Sequence, residues 1–304
     1  MYCLNYQIDK NSVNFSFNPI TREPLSFSGE IIEAAQLCKE KANGKIVVCF
    51  SGGIDSEIVC RALQYVGANF TAITFAYNNW CNHYDVNNAI STCDELGLPK
   101  RIINLDIEHF IDYKIDEYHE MGYIGNNIYR FLQIEFIKLA QLYGDYPILC
   151  SGEQRFMLKN LTDNQYVNNT NALKYQDNNE TGILINAGST NVLNYINDNK
   201  INANPYFLYT SAELMAAYQQ IPIVDFSLKQ KNFYSSEVMT YEMKIIAYHN
   251  TWPNLRWRKK SNGYEGIKSD YIKKYTEKLS NKYKTEPQNF WISLNDLRQQ
   301  LGII

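Results

Sequence analysis

A strand, a glycine turn and a helix stand back to back in KIVVCFSGGIDSEIVCRAL, Lys45 to Leu63, and few chain arrangements accommodate that order. Lys45 to Phe50 is a short apolar run with a valine pair, which predicts a buried strand. Ser51-Gly52-Gly53-Ile54-Asp55-Ser56 is a small, flexible turn. Glu57 to Val66 then follows a helical period, with Ile58, Val59, Ala62, Leu63 and Val66 on one face. Such a turn leaves several backbone N–H groups pointing at one spot, backed by the positive end of the helix dipole. That is an anion site, and phosphate is its usual guest. A tight turn without a ligand is the plainer alternative. The hydroxyls and the carboxylate that flank the glycines favour the phosphate. No GxxxxGK[ST] occurs in the chain, so the turn is not a Walker loop.

Ser51 to Ser56 read SGGIDS, and the segment resembles the PP-loop ATP pyrophosphatases, whose motif is SGGxDS. That superfamily includes asparagine synthetase, GMP synthetase, NAD synthetase, tRNA-lysidine synthetase and 7-cyano-7-deazaguanine synthase. The resemblance implies an α/β fold: a parallel five-stranded sheet in the order 3-2-1-4-5, helices on both faces, and ATP at the carboxyl ends of the strands. The last point also follows from the general rule for open α/β sheets. Within the superfamily the chain is most similar to the synthetase part of asparagine synthetases. Their glutaminase domain has a nucleophilic cysteine directly after the initiator Met; this chain has Tyr2 there, and its Cys3 reads as a strand residue. The expectation is a synthetase without that domain, taking ammonia free, from a separate amidotransferase subunit, or using another amine.

The chain has 304 residues, enough for a sizeable core. Its net charge of −3 argues against general electrostatic binding to nucleic acid, although a local basic patch leaves tRNA open as a partner. No apolar run reaches a membrane span and MYCLNYQIDK is no signal peptide, so no membrane partner and a cytoplasmic location are expected. The cysteine count is an odd seven with no CxxC pair, which suits reduced core thiols.

Alternation in Met1–Asp9 and Ser12–Asn18 predicts an N-terminal hairpin, and a helix follows from Ser28. Residues 1–44 are read as this hairpin and helix, 45–160 as the nucleotide-binding core, and 161–304 as an insertion, fifth strand and helical closing region. In the core, strands are predicted at Asn69–Phe75, Arg101–Leu105 and Tyr146–Cys150. Helices are predicted at His83–Leu96, Ile107–His119 and Asn126–Tyr143. Leu161–Asn204 reads as a long irregular insertion around a fifth strand, Gly182–Ala187. Helices are expected at Ser211–Gln219, Ser235–His249, Asp270–Tyr283 and Ser293–Leu301.

The N–H groups of Gly52, Gly53, Ile54, Asp55 and Ser56, with the hydroxyls of Ser51 and Ser56, form the expected pyrophosphate site. Asp55 would repel phosphate unless a cation lies between them, and Mg²⁺ satisfies this. By resemblance, the acidic residue of the motif lies near the metal, and adenine is read by main-chain groups at Val48, Cys49, Thr74, Phe75 and Ala76. The fourth strand ends in Ser151-Gly152-Glu153-Gln154-Arg155 across the cleft. Asparagine synthetases have SGEGxDE there; this chain keeps SGE and then departs. Gly152 and Arg155 are candidates for binding phosphate or a substrate carboxylate, and Glu153 for holding metal or acting as base. The Arg256–Lys260 run, RWRKK, suggests Lys259 as a catalytic cation above the triphosphate, or else a solvated face or nucleic-acid contact. Cys81-Asn82-His83 lacks a second pair of metal ligands, and Cys150 could carry sulfur but reads better as a strand thiol.

These readings converge on an ATP-dependent ligase. A carboxylate or amide oxygen attacks the α-phosphate, pyrophosphate leaves, and ammonia or an amine displaces AMP. A tRNA- or deazapurine-modifying PP-loop enzyme is the alternative, and a non-catalytic protein reusing the fold is another.

Overall fold

The computed structural model describes residues 3–8, 13–78, 81–123, 128–150, 154–160, 166–167, 179–186, 188–220, 248–255, 277 and 290–304. For 154–160, 166–167 and 179–181 only the backbone is described. The N-terminal hairpin is present: β1 (Leu4–Ile8) pairs antiparallel with β2 (Val13–Phe17). Val13, Phe15 and Phe17 face inward, and Asn14 and Ser16 face out. Helix α1 (Phe27–Lys41) starts where the Ser26 side chain accepts from the N–H of Gly29 at 3.2 Å. Its buried stripe of Ile31, Ala34, Ala35 and Cys38 has no exposed surface.

The central sheet contains β3 (Ile46–Cys49), β4 (Phe70–Tyr77), β5 (Lys100–Leu105) and β6 (Tyr146–Leu149). All pairs are parallel and the order is β5-β4-β3-β6. Helices α2 (Ile54–Tyr65), α3 (His83–Leu96) and α6 (Ile128–Ala140) connect and cover these strands. Between β5 and α6 the chain coils through α4 (Ile107–His109), a π-turn (Phe110–Lys114) and α5 (Ile115–Glu120). Strand β3 is buried throughout, as is β4, in keeping with central strands covered on both faces. Helix α6 buries Phe131, Leu132, Ile134, Ile137 and Ala140 completely.

The expected five-stranded sheet is corrected: among the described residues it has four strands. Among the described residues, the fifth position, beside β6, holds two isolated bridges, Ile148 to Asn204 parallel and Cys150 to Tyr206 antiparallel. The Asn204 N–H donates to Pro147 O at 2.8 Å, and Leu149 N–H donates to Asn204 O at 2.8 Å. Alternate residues of a strand present their polar groups to the same side, so the nitrogen of Pro147 also faces this position, and it has no hydrogen to donate. The parallel pairing therefore does not extend back past Pro147.

Of Gly182–Ala187, expected as the fifth strand, Gly182 to Ile185 belong instead to a second sheet. There β9 (Asn179–Ile185) pairs antiparallel with β7 (Gln154–Asn160) and with β10 (Phe290–Ser293), and β8 (Tyr166–Val167) lies outside β7. The expected helical C-terminal region thus includes a strand, β10, ahead of its last helix, α9 (Leu294–Gln300). At Gly182 a Cβ would come within 2.4 Å of both Ile292 O and the Trp291 ring, so only glycine allows this close pairing. The insertion also holds a helix that the reading as irregular chain missed, α7 (Ser189–Asp198), followed by a 3₁₀ turn (Phe207–Tyr209) and α8 (Ala212–Gln219). The expected helix at Ser235–His249 is described only from residue 248, where the chain is helical to 251. That at Asp270–Tyr283 lies outside the described residues apart from Glu277, which is helical.

Candidate active site

The chain leaves β3 under tight control. Phe50 N–H donates to Ile73 O at 2.8 Å, and the Thr74 hydroxyl donates to Phe50 O at 2.9 Å. The turn follows at once, with Gly52 at φ 81°. A Cβ there would lie 2.1 Å from Asp85 O and 3.2 Å from Ala89 N, so the turn rests against the backbone of α3. Gly53 is the N-cap of α2, and a glycine there has no side chain with which to cap the helix.

The loop's hydroxyls bond to one another and to the loop backbone. Ser51 Oγ and Ser56 Oγ are 3.2 Å apart, Ser56 Oγ donates to Gly53 O at 2.9 Å, and Gly53 N–H donates to Ser51 Oγ at 3.3 Å. Ser51 is exposed and Ser56 buried. A phosphate oxygen arriving at the turn meets donors that need only rotate toward it.

Asp55, in the first turn of α2, is half-buried. Its Oδ1 accepts a 2.8 Å hydrogen bond from the hydroxyl of Tyr248. Tyr248 is buried, its ring stacked on Phe27 at 6.0 Å between centroids, and Phe27 in turn meets Tyr218 at 5.7 Å. Burial first, and then the Asp55 charge, push the ionisation of both phenols well above the ordinary tyrosine range. They stand as neutral groups beside the carboxylate. Cys150, at the end of β6, is buried too, and burial holds its thiol protonated well above the usual range.

The opposite rim is laced by amide side chains. Asn82, the N-cap residue of α3, accepts from Tyr77 N–H at 2.9 Å and donates to Phe75 O at 2.7 Å. Asn78 donates to Asp106 Oδ1 at 3.1 Å and accepts from Ile107 N–H at 3.1 Å. These bonds fix the carboxyl ends of β4 and β5 beside the turn. The Phe75 ring stacks on Phe136 at 4.1 Å inside the core, so adenine could meet this residue only through its main chain.

Ser51, Gly52, Gly53, Ile54, Asp55 and Ser56 are thus brought together on one turn. Gly152, Glu153 and Lys259 lie outside the described residues. Arg155 is placed by its backbone alone, opposite Leu184 in the second sheet. Cys81 donates to Asn78 O at 3.3 Å, and no group of metal-binding side chains is found among the described residues. No described helix is long and apolar enough to cross a membrane. Tyr248, Tyr218 and Asn82 escaped the sequence reading. Tyr248 meets Asp55 across 193 residues and carries no motif.

The family described as Queuosine biosynthesis protein QueC matches residues 45–120, from the start of the loop strand to the end of α5. A probable tRNA sulfurtransferase of Caldanaerobacter subterraneus is 23% identical over 168 residues, which cover 55% of this chain and 44% of that protein. The chain therefore spans less than half the length of this relative. Among solved structures, an NH3-dependent NAD synthetase from Campylobacter jejuni is 16% identical, covering 86% of this chain and 98% of that one at a TM-score of 0.34. An NMN synthetase from Francisella tularensis is 13% identical, covering 78% and 97% at a TM-score of 0.32. At such scores the overlays carry no weight. The loop, its sheet and the sequence matches make this a chain of the PP-loop, adenine nucleotide alpha-hydrolase-like superfamily.

Proposed function

We propose that the chain is a PP-loop ATP pyrophosphatase that adenylates a carbonyl oxygen of a small heterocyclic acid or amide, as in deazapurine synthesis. The observation that carries this is the SGGIDS turn, seated at the carboxyl end of β3 and opening directly into α2. In the reaction a substrate oxygen attacks the α-phosphorus, the bond to the β-phosphate breaks, and pyrophosphate leaves with the electron pair. Ammonia or an amine then adds to the activated carbon and AMP departs. The loop N–H groups and hydroxyls stabilise charge gathering on the leaving pyrophosphate. The half-buried Asp55 carboxylate would oppose that charge, and a hard divalent cation between them removes the conflict. Mg²⁺ fits that place, with Asp55 and, by proposal, Glu153 as its protein ligands. Gly152, Arg155 and Lys259 keep their proposed roles at phosphate, substrate carboxylate and leaving group.

The matched family favours base chemistry over the asparagine-synthetase-like reading. A second reading, modification of tRNA, is favoured by the similarity to a probable tRNA sulfurtransferase. The net charge of −3 tells against a large polyanion, and the protonated, buried Cys150 tells against that residue as a sulfur nucleophile. An intact turn with Asp55 speaks against a non-catalytic role.

Pyrophosphate release from ATP with Mg²⁺ tests the proposal, assayed with deazapurine acids, other carboxylates, and tRNA. AMP and pyrophosphate formed by the wild type and lost in Asp55→Ala support it. ADP and phosphate would mean a different cleavage, and no turnover or nucleotide binding with any substrate would sink it.

A further inference from the structure

A buried phenol must find an acceptor, and most buried tyrosines find a main-chain carbonyl, a water or a neutral side chain. Tyr248 finds the loop's only carboxylate, at 2.8 Å. Its surroundings hold it there from several sides. Its ring stacks on Phe27, its carbonyl accepts from Trp252 N–H at 2.8 Å, and the Thr251 hydroxyl meets Ser28 Oγ at 2.7 Å. Leu255, a turn further on, is buried. Residues 248–255 are therefore clamped to the start of α1, and the phenol reaches from that clamp to Asp55.

The carboxylate has two side-chain torsions of its own and is half-exposed. At the start of a helix an aspartate can also turn back on the first-turn N–H groups, the same groups an incoming phosphate needs. A donor fixed in the core prevents this. In this pair Tyr248 is the donor, since a carboxylate oxygen only accepts.

We infer that Tyr248 is a positioning residue: its hydroxyl, hydrogen-bonded to Asp55 Oδ1, holds the carboxylate clear of the loop N–H groups and in the orientation that receives the cation of ATP. The inference rests on the ATP-pyrophosphatase reading above, and its partner is the divalent cation bound with the triphosphate.

The test is a double-mutant cycle of Tyr248→Phe and Asp55→Asn in the full chain. It reads pyrophosphate release and, by calorimetry, the affinity for α,β-methylene ATP with and without Mg²⁺. Tyr248→Phe keeps the ring and removes the hydroxyl. It is expected to lower kcat roughly tenfold to a hundredfold. It should weaken analogue binding in Mg²⁺ while leaving metal-free binding as in the wild type. In the Asp55→Asn background the same change should cost nothing more, because a residue acting through Asp55 has nothing left to position. Equal losses in both backgrounds, or a Tyr248→Phe protein that melts earlier but binds and turns over like the wild type, would overturn the inference alone. A wild type that binds no analogue and releases no pyrophosphate would overturn the functional reading, and this inference with it. Should Tyr248→Phe fail to fold, Asp55→Asn decides through binding: the positioned charge requires the Mg²⁺-dependent gain in affinity to vanish, and its survival overturns the inference.

Discussion

Gly52 lies so close to Asp85 that a Cβ on it would stand 2.1 Å from the Asp85 carbonyl oxygen. The glycine turn and the helix that follows β4 are therefore in backbone contact, and the φ of 81° at Gly52 is already left-handed. Gly52→Ala meets both obstacles, strain of at least about 1–2 kcal/mol and a clash that must move α3 or the loop. The expected outcome is a lower Tm with ATP binding lost beyond what the lost stability explains. Titration of ATP into the folded variant, well below its Tm, checks this.

Asn204 is fully buried and does several jobs at once. Its backbone completes the edge of β6, its amide donates to Thr210 Oγ1 at 2.8 Å and to Cys38 Sγ at 3.2 Å, and its Oδ1 accepts from Tyr206 N–H at 3.2 Å. Asn204→Ala strands these groups in the core, at about 1–3 kcal/mol for each left unpaired. A loss on the order of 3 kcal/mol is expected, read as a lower urea midpoint at unchanged slope, and a loss below about 0.5 kcal/mol would refute the assignment.

The loop could be read from sequence because its information is local: strand, turn and helix follow one another, and the period changes at Gly52-Gly53. Helix α3 was equally plain, starting at His83 and ending at Gly97 in the left-handed conformation. What the sequence hid depends on distant partners. GILINA looks like a strand, but only its pairing with Gln154–Asn160 and Phe290–Ser293 decides its sheet. Helix α7 was hidden by its asparagines, which serve as polar partners inside the fold. Asn191 is buried, and Asn194 Oδ1 accepts from the Tyr6 hydroxyl at 2.6 Å. Polarity there marks contact rather than solvent.

Buried thiols make the fold sensitive to base. Burial pushes Cys3 and Cys49 from an ordinary 9.0 to about 12, and Cys93 to about 11. The unfolded chain releases these protons near pH 9 and the folded one keeps them. Between about pH 9 and 12 the folded state thus binds more protons, and stability falls as pH rises. At pH 10 each thiol contributes a loss of about 1 kcal/mol. Urea melts at pH 8 and pH 10 should differ accordingly, and Cys49→Ala should narrow the difference by its own share. A flat profile would mean that these thiols ionise freely in the fold.

Glu153 and Lys259 carry the other half of the proposed chemistry, and substitution tests each. A base or metal ligand and a leaving-group cation act on charge that develops in the transition state. Glu153→Gln and Lys259→Met should therefore lower kcat by about 10² to 10³ while changing KM for ATP little. The outcome for Lys259 also separates the readings of the RWRKK run. If Lys259→Met leaves kcat intact and instead weakens tRNA binding with a shallower salt dependence, the run contacts a polyanion. The tRNA reading then displaces the small-molecule one. If Glu153→Gln leaves turnover and its Mg²⁺ dependence as in the wild type, Asp55 alone serves the cation, and Glu153 is neither base nor metal ligand.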